Sequence, residues 1–230
     1  MLTLDKVYHA SFVLKNVIRS TDLIHAPNIR HDCTVYLKTE NLQVTGSFKV
    51  RGAYYKISQL SDEEKAHGVI ACSAGNHAQG VALAATKNGI KSVICLPDGA
   101  PISKVEATKK YGARVELVRG VYDDAYQRAL ELRDEKHYTF IHPFDDENVI
   151  AGQGTIGLEL LEQLPEIDAV VVPVGGGGLI SGVAFAIKSL NPHCKVYGVQ
   201  AAGAASMFNA VRDGRKETLD GVATIADGIA

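Results

Sequence analysis

Short apolar segments alternate with longer amphipathic segments along most of the 230-residue chain. The short segments are rich in β-branched residues and predict strands, whereas the longer ones repeat apolar positions at helical spacing. This alternation is typical of an α/β fold in which right-handed crossovers join parallel strands. Strands are predicted at residues 34–39, 69–72, 92–96, 114–118, 138–141, 169–174 and 196–200. Helices are predicted at residues 49–59, 77–88, 103–111, 123–136, 153–164 and 179–190.

Two polar segments divide this pattern, residues 61–68 (SDEEKAHG) and residues 143–148 (PFDDEN), and both are interpreted as surface connections. We therefore expect a small α/β domain at residues 65–145. It would be inserted into a large domain formed by residues 1–64 and 146–230. Ligands of open α/β sheets bind at the carboxyl ends of strands, so a cleft between the two domains is the expected site.

Residues 169–187 carry no charge over a length close to that of a membrane span. Pro173 and five glycines within them predict a strand, a loop and a helix in sequence, and no membrane is expected as a partner. Residues 69–72 and 169–174 are continuously apolar, which predicts strands covered by helices on both faces.

The charge balance and the cysteines restrict the possible partners. With 24 Lys+Arg against 26 Asp+Glu, the net charge of −2 gives no basic surface for nucleic acid. The four cysteines have neither zinc-site nor disulfide-framework spacing, and we expect reduced, buried thiols in a cytoplasmic protein. No signal peptide is expected, because charged residues interrupt the first apolar stretch.

Four consecutive glycines separate the strand predicted at residues 169–174 from the helix predicted at residues 179–190. Without Cβ atoms the backbone can approach an anion closely, and its N–H groups converge there with the positive end of the helix dipole. This glycine loop, consisting of Gly175, Gly176, Gly177 and Gly178, therefore predicts a phosphate site, and the alternative is a flexible linker.

The phosphate expected at this loop is not predicted to belong to a nucleotide ligand. The glycine loop does not match GxGxxG, since Ile180 occupies the sixth position, and no Lys-Ser/Thr pair follows it. A formal GxGxxG does occur at Gly152, Gly154 and Gly157, but no clear strand precedes it. We interpret it as a site of close helix packing, with a dinucleotide-dependent oxidoreductase as the alternative.

Lys49 lies in the first turn of its predicted helix, between Phe48 and Val50. The helix N-terminus repels a cation and apolar neighbours desolvate it, so both effects favour the neutral amine that a Schiff-base nucleophile requires. The alternative is a lysine that extends to solvent.

The segment SAGNHAQG, residues 73–80, joins a predicted buried strand to the next helix. Ser73 and Asn76 are good capping residues, which explains part of the segment. Capping does not explain a glycine, an amide and an imidazole clustered at the end of a strand, and these donors suit a carboxylate or phenolate ligand. A capping or surface role explains His77 better than general-base catalysis.

Taken together, these motifs resemble the fold-type II pyridoxal-phosphate enzymes of the serine/threonine dehydratase group. The resemblance runs from about Lys38 to the last residue. It is carried by TENLQVTGSFKVRGA, ACSAGNHAQG, PDGAPISKVEATKKYGA, VIAGQGTIGLE and VPVGGGGLISG. It implies two open, twisted, mostly parallel sheets flanked by helices. The implied reaction is β-elimination on L-threonine, and more weakly on L-serine, which gives a 2-oxo acid and ammonia.

The resemblance also implies roles for single residues. Lys49 would bind pyridoxal phosphate covalently and later move the Cα proton, with Phe48 packed beside the cofactor. Asn76 would bond the ring hydroxyl, and the glycine loop with the N–H of Leu179 would hold the phosphate. The substrate carboxylate would be received by Ser73, Ala74, Gly75, Asn76 and His77, and closure of the small domain would exclude water.

Departures from related families narrow these expectations. Serine racemases carry a serine at the position of Ala74, and alanine cannot move a proton, so racemisation should be weak. Gln200 and Ser206 replace two carboxylates of metal-binding relatives, so no metal is expected. A serine racemase or a β-replacement enzyme remains an alternative within the fold, and a non-catalytic phosphate-binding module remains one outside it.

The family pattern continues beyond the last residue of this sequence, so we expect the large domain to be incomplete at its C-terminus. The family also implies a homodimer or homotetramer. A biosynthetic role, as in isoleucine formation, and a catabolic role are equally compatible with these residues.

Overall fold

The computed structural model describes residues 1–229 and contains nine α-helices and eight strands in that range. The helices are α1 (Leu4–Leu14), α2 (Lys49–Ser58), α3 (Asp62–His67), α4 (Asn76–Lys87), α5 (Ile102–Lys110), α6 (Tyr122–Lys136), α7 (Glu147–Gln163), α8 (Gly178–Leu190) and α9 (Ser206–Asp213). The strands are β1 (Leu23–His25), β2 (Tyr36–Lys38), β3 (Val69–Cys72), β4 (Ser92–Pro97), β5 (Arg114–Val118), β6 (Thr139–Phe140), β7 (Ala169–Pro173) and β8 (Lys195–Val199). The predicted α/β class is confirmed.

A four-stranded parallel sheet with the order β5-β4-β3-β6 forms the centre of residues 69–140. Side chains alternate between its faces, so Ala71 and Ile94 pack with α4, while Ile70 and Val93 pack with α6. All four residues of β3 are buried, which confirms the strand predicted to be covered on both faces.

Helix α7 is the central helix of the other part of the chain and packs against α1, α2 and α8. Its small residues permit this: a Cβ at Gly152 would lie 2.6 Å from the Arg51 carbonyl oxygen, and one at Gly157 would lie 2.9 Å from Ala186 Cβ. At Gly154, a Cβ would lie 3.0 Å from the Gly182 carbonyl oxygen. The GxGxxG pattern is therefore a helix-packing motif, as predicted.

Two predicted strands differ from expectation. Residues 34–39 shorten to β2, which pairs antiparallel with the unpredicted β1. β7 pairs with β8 in parallel, but only alternate residues of β7 are buried, and Val171 is 66% exposed. For residues 1–229 the prediction that helices cover both faces of residues 169–174 is therefore wrong, because α8 and its neighbours cover one face of β7 and the other is exposed.

Other boundaries also need correction. Residues 61–68 contain α3, which a capping box between Ser61 and Glu64 begins. Helix α7 begins six residues before the predicted residue 153, because Asp146 accepts hydrogen bonds from the first-turn N–H groups of Asn148 and Val149. Cys33 is exposed, although the other three cysteines are buried as expected. Among residues 1–229, no helix is both long and apolar enough to cross a membrane.

Candidate active site

The Lys49 side chain is enclosed although its amine is polar. It opens α2 directly after the turn that contains Gly46, whose φ of 73° favours glycine. Its Nζ donates a hydrogen bond to the carbonyl oxygen of Pro143 over 2.8 Å and lies 5.4 Å from the centre of the Phe48 ring. Burial lowers the pKa of this amine to about 8, so a substantial fraction is neutral near physiological pH.

The glycine loop joins β7 to α8 and is packed too tightly for larger residues. Gly177 has a φ of 88°, and a Cβ on Gly176 would overlap the ring of Phe144. A Cβ on Gly178 would lie 2.6 Å from the Phe144 carbonyl oxygen. Since the first N–H groups of a helix have no acceptor within the helix, the loop and the start of α8 form a cradle of donors.

Lys49 and the glycine loop line one cavity. Its wall also includes Phe48 and Leu179, so every residue predicted to hold the cofactor lines it except Asn76. The remaining wall residues, which the sequence did not single out, are Pro143, Phe144, Gln153, Pro173, Gly228 and Ile229. One cavity therefore presents a partly neutral amine and a donor-rich loop together.

The loop between β3 and α4, residues 73–75, lies at the carboxyl end of its strand. Ser73 Oγ accepts a hydrogen bond from the Gly75 N–H over 3.2 Å, and the exposed Asn76 begins α4. A Cβ on Gly80 would lie 3.1 Å from the carbonyl carbon of Lys49, so glycine favours the close packing of α4 on α2. This close packing places the second turn of α4 against the first turn of α2.

His77 is buried, and its Nε2 lies 2.8 Å from the carbonyl oxygen of Ile141. That contact places the ring proton on Nε2 as the donor. Burial, with a further contribution from Lys49, lowers the pKa of His77 to about 3, so the imidazole is neutral at physiological pH. His77 therefore fastens α4 to the chain after β6.

Two groups of functional side chains were missed by sequence reasoning. His142 holds the loop that carries Pro143 and Phe144, because its ring accepts hydrogen bonds from the N–H groups two and three residues later. This short separation along the chain was the only sequence signal for the first group. Arg51 is completely buried and forms ion pairs with Glu40 at 2.7 Å and Glu159 at 2.6 Å. No short sequence pattern marked the second group, because Glu40 and Glu159 lie 11 and 108 residues from Arg51 along the chain.

The Arg51 cluster joins three elements. Its guanidinium also donates to Thr155 Oγ1 over 3.1 Å, and Lys38 completes the cluster with a 2.6 Å ion pair to Glu159. Burial opposes the charge of Glu40, but hydrogen bonds and the charge of Arg51 keep the pKa of that carboxyl below its usual value. The cluster ties the first turn of α2 to α7 and to the segment after β2.

Comparison with known proteins identifies the family. A family model described as pyridoxal-phosphate dependent enzyme matches residues 14–230. The chain belongs to this family. The fold-type II class and the cofactor expected from the sequence are thereby confirmed.

Curated relatives in the pyridoxal-phosphate family share close to half of the residues. Over the whole chain, identity is 53% to an L-threonine ammonia-lyase of Thermotoga maritima and 44% to one of Geobacter sulfurreducens. Identity is 45% over 99% of the chain to the catabolic L-threonine dehydratase TdcB of Escherichia coli K12. The chain spans 58% of the length of the first two proteins and 70% of the third.

Solved structures of the family superpose closely. A serine racemase from maize has a TM-score of 0.96 and 37% identity, covering 99% of this chain and 70% of that one. The processed form of threonine deaminase isoform 2 from Solanum lycopersicum has a TM-score of 0.92 and 41% identity, covering 98% of this chain and 64% of that one.

The cavity residues fit pyridoxal phosphate on two structural grounds. The cofactor carries an aldehyde, and Lys49 offers a buried amine whose pKa is lowered to about 8. The cofactor also carries a phosphate dianion, and the glycine loop leads into the first turn of α8, whose N–H groups have no acceptor within the helix. Lys49 and the glycine loop line the same cavity, as binding of one ligand that carries both an aldehyde and a phosphate requires.

Proposed function

We propose that the complete protein is a pyridoxal-phosphate dependent L-threonine ammonia-lyase. It would convert L-threonine to 2-oxobutanoate and ammonia, and L-serine more slowly to pyruvate and ammonia. The observation that carries this proposal is the buried Lys49 amine in the same cavity as the glycine loop. The names of the curated relatives support threonine as the substrate.

The cavity supports a role in this reaction for each of its residues named below. When bound, the cofactor supplies the sink for the electron pair of the substrate Cα–H bond. Lys49 Nζ takes the proton from Cα, for which a base with a pKa of about 8 is suited. Phe48 packs beside the cofactor, and the N–H groups of the glycine loop and Leu179 hold its phosphate.

The loop after β3 receives the substrate carboxylate through Ser73, Ala74, Gly75, Asn76 and His77. Since His77 Nε2 already bonds Ile141, its contribution is the backbone N–H at the start of α4. Asn76 bonds the ring hydroxyl of the cofactor, and the close packing of α4 on α2 at Gly80 supports this assignment.

The domain division at residues 65 and 145 is part of the same proposal. The four-stranded sheet and its helices would move as a small domain over residues 1–64 and 146–230, and closure would exclude water from the cleft. We further propose a cytoplasmic homodimer or homotetramer, as the family implies.

A racemase is the second candidate, since a serine racemase from maize has the same fold. Ala74 does not favour it, because a methyl group in the carboxylate loop cannot return a proton to Cα. A non-catalytic phosphate-binding module differs in class, and it would need no buried amine beside the glycine loop.

Covalent capture of the cofactor separates these possibilities. The complete protein is loaded with pyridoxal phosphate, its visible spectrum is recorded, and borohydride reduction is followed by peptide mapping. We expect a yellow protein with the reduced label on Lys49, and 2-oxo acid release from threonine faster than from serine. The Lys49→Arg variant should remain unlabelled and inactive.

Each contrary outcome has a distinct meaning. A colourless protein, or a label on another lysine, would contradict the lyase and leave the phosphate-binding module. A correct label with conversion of L-serine to D-serine instead of a 2-oxo acid would establish the racemase.

A further inference from the structure

The chain crosses from β6 to α7 through residues 141–146, here called the crossing segment. Three elements of the site hold it. His77 of α4 bonds the carbonyl oxygen of Ile141 over 2.8 Å, and Lys49 of α2 bonds that of Pro143 over 2.8 Å. The ring of Phe144 packs against Gly176 of the glycine loop. The position of the Lys49 amine therefore depends on the shape of this irregular segment.

His142 determines that shape from within the crossing segment. Its Nδ1 accepts hydrogen bonds from the N–H groups of Asp145 over 2.8 Å and Phe144 over 3.3 Å. The imidazole also meets the ring of Phe144 edge-on, with centres 4.7 Å apart and an angle of 88° between the planes. One ring therefore fixes both the turn and the aromatic group that packs on the glycine loop.

We propose that His142 is a positioning residue whose unprotonated Nδ1 holds the Pro143 carbonyl against the Lys49 amine and Phe144 against the glycine loop. Its importance for elimination rests on the proposed function, whereas its effect on the Lys49 amine does not. His142 acts through backbone atoms and through Phe144, without touching the substrate.

Burial and the charged groups around His142 determine the pH range in which its Nδ1 can accept hydrogen bonds. Lys49 faces it from α2, the neutral His77 lies on α4, and Asp145 and Asp146 lie in the crossing segment. Burial is the main cause that lowers the pKa of His142, the two aspartates oppose it, and Lys49 reinforces it. Asp146 is itself engaged by Lys56 at 2.8 Å. Nδ1 is therefore unprotonated at neutral pH.

Protonation of His142 would reverse the bonding in the turn. Both ring nitrogens of an imidazolium are donors. A proton on Nδ1 would therefore point at the two backbone N–H groups whose hydrogen bonds the unprotonated Nδ1 accepts. The turn should then open as the pH falls through the pKa of His142, below its ordinary value of 6.5. The Pro143 carbonyl would lose its fixed position, and the Lys49 amine would become more accessible to water.

Substitutions of His142 separate the effect of the hydrogen bonds to its side chain from the effect of its protonation. In His142→Asn, the amide oxygen can accept from N–H groups two and three residues later, but it does not titrate in this range. In His142→Ala the acceptor is removed. His137→Asn is the matched control, because this exposed residue has a φ of 58°, which asparagine tolerates.

Two readouts use the complete protein without cofactor. Amide hydrogen exchange is followed from pH 5 to pH 8 on peptides covering the crossing segment. The rate at which trinitrobenzenesulfonate modifies Lys49 is measured against pH by peptide mapping. Neither readout depends on which amino acid is the substrate, so failure of this inference and failure of the lyase proposal are distinguishable.

We expect the wild type and His137→Asn to lose exchange protection below pH 6.5 by about tenfold, the effect of one lost hydrogen bond. His142→Asn should keep its protection across the range, with half-maximal Lys49 modification near pH 8. His142→Ala should be unprotected throughout, with Lys49 modified about tenfold more slowly at pH 7, which corresponds to a pKa about one unit higher.

Two results would overturn the proposal. The first is a folded His142→Ala protein whose protection and Lys49 modification match those of the wild type. The second is loss of protection at the same pH in the wild type and in His142→Asn. If His142→Ala does not fold, the comparison of the wild type with His142→Asn decides.

Discussion

Lys49 Nζ and the carbonyl oxygen of Pro143 are 2.8 Å apart, although 94 positions separate the two residues along the chain. The whole four-stranded sheet lies between them in sequence. The amine therefore depends on two elements, since α2 carries it and the crossing segment provides its acceptor. The pKa of the amine is a property of this arrangement rather than of Lys49 alone.

The first prediction concerns the stability of the cofactor-free protein against pH. The pKa of Lys49 is about 8 in the folded chain against 10.5 ordinarily, so between these values the unfolded chain binds more protons. The free energy of unfolding should therefore rise with pH across that window. Lys49→Met removes the buried charge and should stabilise the protein below pH 8 by up to about 3 kcal/mol.

Urea denaturation from pH 7 to pH 10.5 checks this prediction. The difference between Lys49→Met and wild type should shrink as the pH rises and vanish at the top of the range. Lys91→Met, at an exposed position, is the control and should show no such trend. A difference that stays constant with pH would show that the Lys49 charge is not penalised by burial.

The second prediction concerns the glycine loop. In Gly176→Ala the new methyl group would overlap the ring of Phe144, so either the ring or the loop must move. We expect a loss of about 1–3 kcal/mol in unfolding free energy, typical of overpacking, together with weaker cofactor binding. Thermal denaturation and titration with pyridoxal phosphate measure the two effects.

Gly99→Ala is the control for the glycine substitution, because a Cβ there meets open space. It should leave both the stability and the cofactor affinity near those of the wild type. Unchanged cofactor affinity in a stable Gly176→Ala protein would contradict the assignment of the loop to the phosphate.

The third prediction concerns the Arg51 cluster. Arg51→Met leaves the carboxylates of Glu40 and Glu159 with only Lys38 as a cationic partner nearby. Removing one partner of a buried pair typically costs about 3–5 kcal/mol, and we expect a loss of this size in urea denaturation. Arg133→Met, which breaks an exposed pair with Asp134, should leave stability unchanged.

The fourth prediction concerns Ala74 in the loop between β3 and α4. Ala74→Ser introduces a hydroxyl group that could deliver a proton to the face of Cα opposite Lys49. We expect chiral chromatography to detect D-serine formation from L-serine above the wild-type background, with 2-oxo acid release retained. If no D-serine appears in an active variant, this loop position alone does not select between elimination and racemisation.

Local patterns predicted the small sheet well and the surrounding elements less well. β3 was predicted at its observed ends because it is buried on both faces and therefore continuously apolar. The first turns of α7 were missed because Gly152 and Gly154 weaken a helical pattern, although in the structure they allow helices to approach closely. β1 was missed because a three-residue strand is defined by its partner β2 rather than by its own sequence.

The site divides in the same way. Lys49 and the glycine loop could be singled out from the sequence, because the residues that suggest their chemistry are adjacent in the chain. Arg51 could not, since its partners Glu40 and Glu159 lie 11 and 108 residues away. His142 differs, because its two acceptor contacts are local, but what they position is the distant amine of Lys49.

The insertion of the small sheet between Lys49 and Pro143 also determines when the amine becomes reactive during synthesis. Lys49 is synthesised before any residue of β3–β6, so the nascent amine lacks these contacts and is surrounded by water. An amine in that environment keeps the ordinary lysine pKa of 10.5 and is almost fully protonated at physiological pH. Contacts between residues so far apart in sequence form late in folding. We therefore expect the Lys49 amine to react only slowly with aldehydes until the rest of the cavity has formed.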